Sequence, residues 1–420
     1  MKKLTLCALL AVMLIWTSAL PARAASLHTR DEVREMYKSI GAAPDESPYL
    51  AAPSPASPYD TGALTDAALA DACNYLNFLR WLAYLNAPVR LDGELNGICQ
   101  HGAVLLAALD RVDHAPERPA DMGGEFYRAA AYAAASSNLA GLNWMKDDIL
   151  RSALNYFARD DGEKNLPQLG HRRWLLNPSM GATGFGLANS ATGMTYALMF
   201  AHDLNGEAGE WSEICWPARG AFPAELMRAE LAWSVTLNPA IYDLNASQPQ
   251  VTMRERLSGA EYCFPYPAGA YEDGYFTLNS EAYGSGPCLI FRPDIKKAEL
   301  EEYQQNQIWE VEITGLVDWA GNARELRYET QMIALHAIDA ASVELDITEL
   351  ALDRGGTAQL RAAVIPGYAD DVSVLWTSTD EAVAVVDEQG NVTAVSPGAC
   401  EIVAVNSAGR EDRCRVTVGE

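Results

Sequence analysis

The chain has 420 residues, 49% of them hydrophobic and 21% charged, a globular composition that excludes a disordered or low-complexity polypeptide. Its length suits about two to four domains. A formal net charge of −25 argues against nucleic acid or an anionic membrane surface as partner and serves solubility instead.

The first residues read MKKLTLCALLAVMLIWTSALPARAAS. Two lysines, an apolar run and the pattern Ala22-Arg23-Ala24 predict a secretory signal peptide over residues 1–24, so a secreted or surface-associated mature chain is expected. No second apolar run approaches the roughly 20 residues that cross a bilayer. Residues 25–62 contain Pro48, Pro53, Pro55 and Pro58 and read as leader or linker, because proline interrupts helices.

Residues 63–204 begin with helical patterns. TDAALADACNYLNFLRWLAYLN pairs a Thr65/Asp66 cap with apolar residues at Leu69, Ala72, Cys73, Leu76 and Leu79, and GELNGICQHGAVLLAALDRV repeats the spacing. That second pattern is expected to run through both His101 and His114, about 220° apart around the helix. After Asn177-Pro178 the Gly- and Thr-rich segments GATGFGLA and TGMTYALMFA predict strands, giving one α+β unit. Residues 205–337 hold AWSVTLNP, QVTMRERL, CLIFRP, WEVEITGL and RELRYETQMIAL and predict a β-sandwich. Residues 338–420 alternate again around Asp387, Gly390 and Gly398 and predict a second sandwich with Trp376 as its core aromatic. Seven cysteines follow the signal segment. Export permits disulfides, and the pairs expected are Cys73–Cys99, on two apolar helix faces, and Cys400–Cys414, on neighbouring strands.

The stretches NYLNFLRWLAYLNAPVRLDGELNGICQHGAVLLAALDRVDHAPERP, SSNLAG and LGHRRWLLNPSMGATGFG resemble, in order and spacing, the bacterial branch of the CAP or SCP superfamily of cysteine-rich secretory proteins. The resemblance implies an α-β-α sandwich with a cleft lined by two histidines and, in many members, two acidic residues. Carried over, the histidines are His114 and His171. Ser137 stands at the first acidic position, and Asp160, with Asp161 adjacent, at the second. The last segment resembles a group 2 bacterial immunoglobulin-like domain through LDRGGTAQLRAAVIP and WTSTDEAVAVVDEQGNVTAVSPG. The middle region resembles the β-rich extension of exported CAP proteins.

Zn²⁺ or another divalent metal could take His114, His171 and Asp160, since a catalytic zinc usually needs three protein ligands and an open position. Losing the glutamate removes both a ligand and the best general base, and no H-E-x-x-H or G-x-S-x-G is present. Arg80, Arg172 and Arg173 lie in packing segments and need partners. Asp110, Asp113 and Asp160 are candidates, with an anionic wall-polymer group as the functional alternative. His28, His202 and His336 have no motif around them and are left outside the site. The leading expectation is a binding or cell-surface interaction protein, leaning away from enzyme, whose partner is a wall polymer, glycan, lipid or host surface ligand. The alternatives are a metal-dependent hydrolase of peptides or wall polymers, and a purely structural extracellular protein.

Overall fold

The computed structural model describes residues 26–143, 148–267, 269–298 and 300–420. The segment expected to be a signal peptide, with Cys7, lies outside these residues.

The leader is not merely a linker. Arg30–Ile40 forms helix α1, started by a capping box in which Thr29 accepts from the Glu32 amide and Glu32 from the Thr29 amide. Just before it the His28 ring stacks on Trp81 at 3.7 Å and on Tyr84 at 4.2 Å between centroids. The prolines predicted to forbid helix all fall after α1 ends.

Asp66–Leu82 (α2) starts at Thr65, whose hydroxyl accepts from the Ala68 amide at 3.2 Å. Gly93–Leu109 (α3) starts at Asp92 and stops at Asp110, which takes the left-handed conformation at φ 50°. His114 therefore lies in the loop beyond α3, which corrects the expectation that it shares a helix with His101. Gly124–Ser136 (α4), Ile149–Arg159 (α5) and Gly170–Leu175 (α6) complete the helices.

A three-stranded antiparallel sheet runs between them, with Thr195–Phe200 central and Ser137–Leu142 and Phe185–Asn189 at its sides. Strand alternation gives it two apolar faces. Tyr196, Leu198 and Phe200 pack with Cys99, Ala103 and Ala133, whereas Ala197 and Met199 join Leu76, Leu154 and Phe157. Helices thus cover both faces. Gly184 and Gly186 let α3 lie directly on its strand, because a Cβ there would sit 2.3 Å from the Leu95 carbonyl carbon and 2.2 Å from the Cys99 oxygen.

The region after residue 205 folds as two five-stranded sheets. One is ordered Gly269–Tyr271, Gly274–Asn279, Cys288–Pro293, Trp233–Leu237, Glu213–Trp216; the other Glu261–Phe264, Gln250–Glu255, Ile308–Val317, Ala323–Ile333, Gly220–Pro223. Trp216, Trp233 and Trp309 are fully buried. One continuous core runs from Leu69 and Phe157 of the helical unit to Trp233 and Val311 of the sandwich.

The last unit has its own cores, built on Leu360, Val392, Ile402 and Val416 and on Val343 and Val364. Trp376 is only partly buried and packs against both. Gly390, at φ +78°, sits where a Cβ would meet the Trp376 ring at 3.0 Å.

The expected disulfides do not form: all seven described cysteines are free. Cys73 and Cys99 belong to different cores, with their thiols toward the Val89 and Gly184 oxygens at 3.4 Å each. Cys400 faces Val416, and Cys414 faces Ile402, so the two are offset by a register step rather than opposed.

Candidate functional site

The junction between α4 and the strand Ser137–Leu142 organises the candidate residues. His114 Nδ1 meets the Ala134 oxygen at 2.8 Å, the Ser136 oxygen accepts from the Ala201 and His202 amides, and Asn138 Nδ2 donates to the His171 oxygen at 2.8 Å. Three residues, the Ala134 and Ser136 carbonyls and the Asn138 side chain, thus touch the anchor points of three histidines. His202, which had no motif around it, belongs to this group. Its ring lies 4.2 Å from that of Trp174, and its pKa is lowered by burial and, secondarily, by His114. The usable signal was position, directly beyond the central strand.

Asp160 caps α5 in the left-handed conformation at φ 51° and is 2% exposed. Its Oδ1 meets His171 Nδ1 at 2.8 Å, while Oδ2 accepts from the His171 amide at 2.9 Å and the Arg172 amide at 3.3 Å. Asp161 turns away to an ion pair with Arg228 at 2.5 Å. The carboxylate therefore fixes the imidazole ring and leaves Nε2 as its available edge, the arrangement by which a buried acid orients a histidine.

Ser137 opens its strand, is 4% exposed, and its Oγ lies 3.8 Å from Cys99 Sγ. Burial pushes the Cys99 thiol up to about 12, so it is not a ready nucleophile. Among the described residues no group of three or more His, Cys, Asp and Glu is placed to hold a metal ion. With both Asp160 oxygens already engaged, the residues do not fit the three-ligand centre that the sequence suggested.

The arginines of GHRRW act otherwise than expected. Arg172 is fully buried without a carboxylate on its guanidinium, donating instead to the oxygens of Ala158 (2.6 Å), Arg159 (2.8 Å) and Ala232 (2.7 Å). Arg173 donates to Asn279 Oδ1 at 2.7 Å and the Gly286 oxygen at 2.6 Å, and lies 4.8 Å from the Tyr283 ring centre. Arg80 donates to the Leu175 and Asn177 oxygens at 3.0 and 2.8 Å. Burial pushes Arg80 and Arg172 down to about 10, so both remain cations at neutral pH. Ala232, Asn279 and Gly286 all belong to the sandwich, which makes this motif a clamp between the two units. Asp110 accepts instead from Thr192 and Tyr196 hydroxyls at 2.8 and 3.0 Å, and Asp113 pairs with Arg111 at 3.0 Å.

Residues 339–417 match the bacterial Ig-like domain (group 2) family, so the closing module is a domain of that class. Over 71 residues the chain is 44% identical to the lacto-N-biosidase of Bifidobacterium bifidum, covering 17% of this chain and 6% of that protein. Over 68 residues it is 44% identical to the 3-O-alpha-D-galactosyl-alpha-L-arabinofuranosidase of Bifidobacterium longum subsp. longum, covering 16% and 6%. The chain spans only 6% of the length of these curated relatives. Similar solved structures include an EHEC O157:H7 intimin mutant, with 18% identity, 19% of this chain, 47% of that chain and a TM-score of 0.16. Domains 4 and 5 of the S-layer protein SbsC give 16% identity, 27% and 65% coverage and a TM-score of 0.18. Scores this low establish no shared arrangement of the whole chain. Among the described residues no helix is long and apolar enough to cross a membrane.

Proposed function

We propose that the protein is an exported, surface-associated binding protein. Residues 63–204, read as a CAP-type domain, offer the cleft around His114, His171 and His202 to a ligand. Residues 205–337 support that unit, and residues 338–420 serve as spacer or adhesive module. The observation that carries the reading is the engagement of Asp160. A carboxylate whose two oxygens hold His171 and the next amide shapes a recognition surface, and Ser137, buried where many CAP relatives place an acid, adds no base. A glycan-bearing wall polymer or surface is the partner class this favours, in keeping with two relatives named as a lacto-N-biosidase and an arabinofuranosidase; lipid and host surface ligands are the other classes.

Cosedimentation with cell-envelope preparations tests the reading. Residues 25–420 should bind, deletion of residues 338–420 should lose the adhesive share, and His171→Ala with Trp174→Ala should lose the cleft share. Equal sedimentation of all three forms would overturn it.

One observation favours a second reading, hydrolysis assisted by a general base. The 2.8 Å contact between Asp160 and His171 Nδ1 orients a ring whose Nε2 could take a proton from water. It predicts a slow turnover of peptides or wall polymers that His171→Ala abolishes at unchanged melting temperature.

A further inference from the structure

Helix α1 leaves a cleft of about 710 Å³ between itself, α2, α5 and the segment Leu335–Ala337. That volume lies within the roughly 300–1,000 Å³ typical of ligand sites, which favour such junctions between units. The cleft shares no residue with the histidine cluster.

Its α1 wall is held in place. Arg34 donates to Asp370 at 2.7 Å, Gln305 at 3.0 Å, the Ala334 oxygen at 2.8 Å and the His336 oxygen at 3.0 Å. On the opposite side Arg151 is 6% exposed, ion-paired to Asp71 and donating from Nη2 to the Gly41 oxygen at 3.0 Å. Its guanidinium lies 5.3 Å from the Tyr75 ring centre. Arg151 Nη1 has no hydrogen-bond partner among the described residues, so a fixed donor remains unused. Asn155 is similar: its Oδ1 accepts from the Tyr75 hydroxyl at 2.7 Å, and its amide nitrogen makes no bond among the described residues.

Tyr37 supplies a half-buried ring, packed at 5.5 Å on Phe78 and edge-on to His336 at 5.7 Å. Glu35 and Asp148 bring acceptors to the same cleft and Lys38 a further donor. The two arginines are already neutralised by Asp370 and Asp71. An aromatic face beside balanced donors and acceptors matches a polyhydroxylated ring better than an anion, because a bound anion would also face Glu35 and Asp148.

We propose that this cleft binds a neutral saccharide unit, its ring against Tyr37 and its hydroxyls shared between Arg151 Nη1, Asn155 Nδ2 and the Glu35 and Asp148 carboxylates. Residues 25–420 should be screened on an array of neutral and uronate-containing oligosaccharides, and the best neutral binder titrated calorimetrically. Tyr37→Ala and Asn155→Ala should each weaken it at least about tenfold, whereas Leu257→Ala, at an exposed position of the first sandwich outside both clefts, should bind as the wild type. Asn155→Ala removes a single hydrogen bond and keeps the test open should Tyr37→Ala lose its fold. Capture of uronates alone, of no neutral glycan, or binding that both substitutions leave unchanged would overturn the assignment. A loss seen only in His171→Ala would instead place the sugar in the histidine cleft.

Discussion

The two joints of this molecule are made of different materials. Between the helical unit and the first sandwich, one apolar core crosses from Phe157 to Trp233, and Arg172 and Arg173 drive buried guanidiniums into the partner's carbonyl groups. Between the sandwich and the closing module the tie is polar and partly exposed. Asp370 takes Arg34 and Gln305, and its side chain is 24% exposed. The first joint removes apolar surface from water and cannot open without losing that burial. The second relies on ion pairing in a half-wet setting, where each contact contributes little. The helices and first sandwich are therefore one mechanical body, and the immunoglobulin-like module a separate one docked on it.

Urea unfolding followed by tryptophan fluorescence would break this comparison if it gave a single transition; two are expected, one for residues 26–337 and one for residues 338–420. Within the first, Trp233→Ala should cost about 3–5 kcal/mol, the range for emptying a fully buried aromatic site. Arg172→Met should follow at about 3 kcal/mol, because several buried carbonyl oxygens lose their donor. Arg34→Ala should cost only about 1 kcal/mol and show itself instead as a larger radius of gyration by solution scattering. The smallest effect concerns His28, whose pKa is lowered from 6.5 chiefly by burial. The unfolded chain takes that proton first, so its contribution is complete above pH 6.5 and is lost as the pH falls through the lower folded value. Melting temperature should drop between about pH 7 and pH 5, and His28→Gln should flatten the dependence.

Much of this architecture was legible in local periodicity. The spacing that predicted helices over TDAALADACNYLNFLRWLAYLN and GELNGICQHGAVLLAALDRV corresponds to α2 and α3, and AWSVTLNP, CLIFRP and WEVEITGL became strands. Helix α1 is masked in the sequence by the proline-rich residues behind it, although Thr29 and Glu32 spell its capping box. The roles of Arg80, Arg172 and Arg173 were hidden for a different reason. A charged residue invites a search for an opposite charge, and backbone oxygens leave no trace in a sequence. Trp174 and His202 depended on a strand end meeting a helix, a contact that no spacing encodes. The cysteines misled in the same way, since membership of neighbouring elements says nothing of which face each thiol takes.

Arg34 and Asp370 are 336 positions apart in the chain. Synthesis delivers α1 well before its clasp, which arrives only with the immunoglobulin-like module, so this helix waits for its place until the later units are made. Until then its apolar stripe rests largely on α2 and the segment Gly220–Pro223. The growing chain carries an unfinished edge through most of its own assembly, a liability that contacts of such long sequence separation always bring.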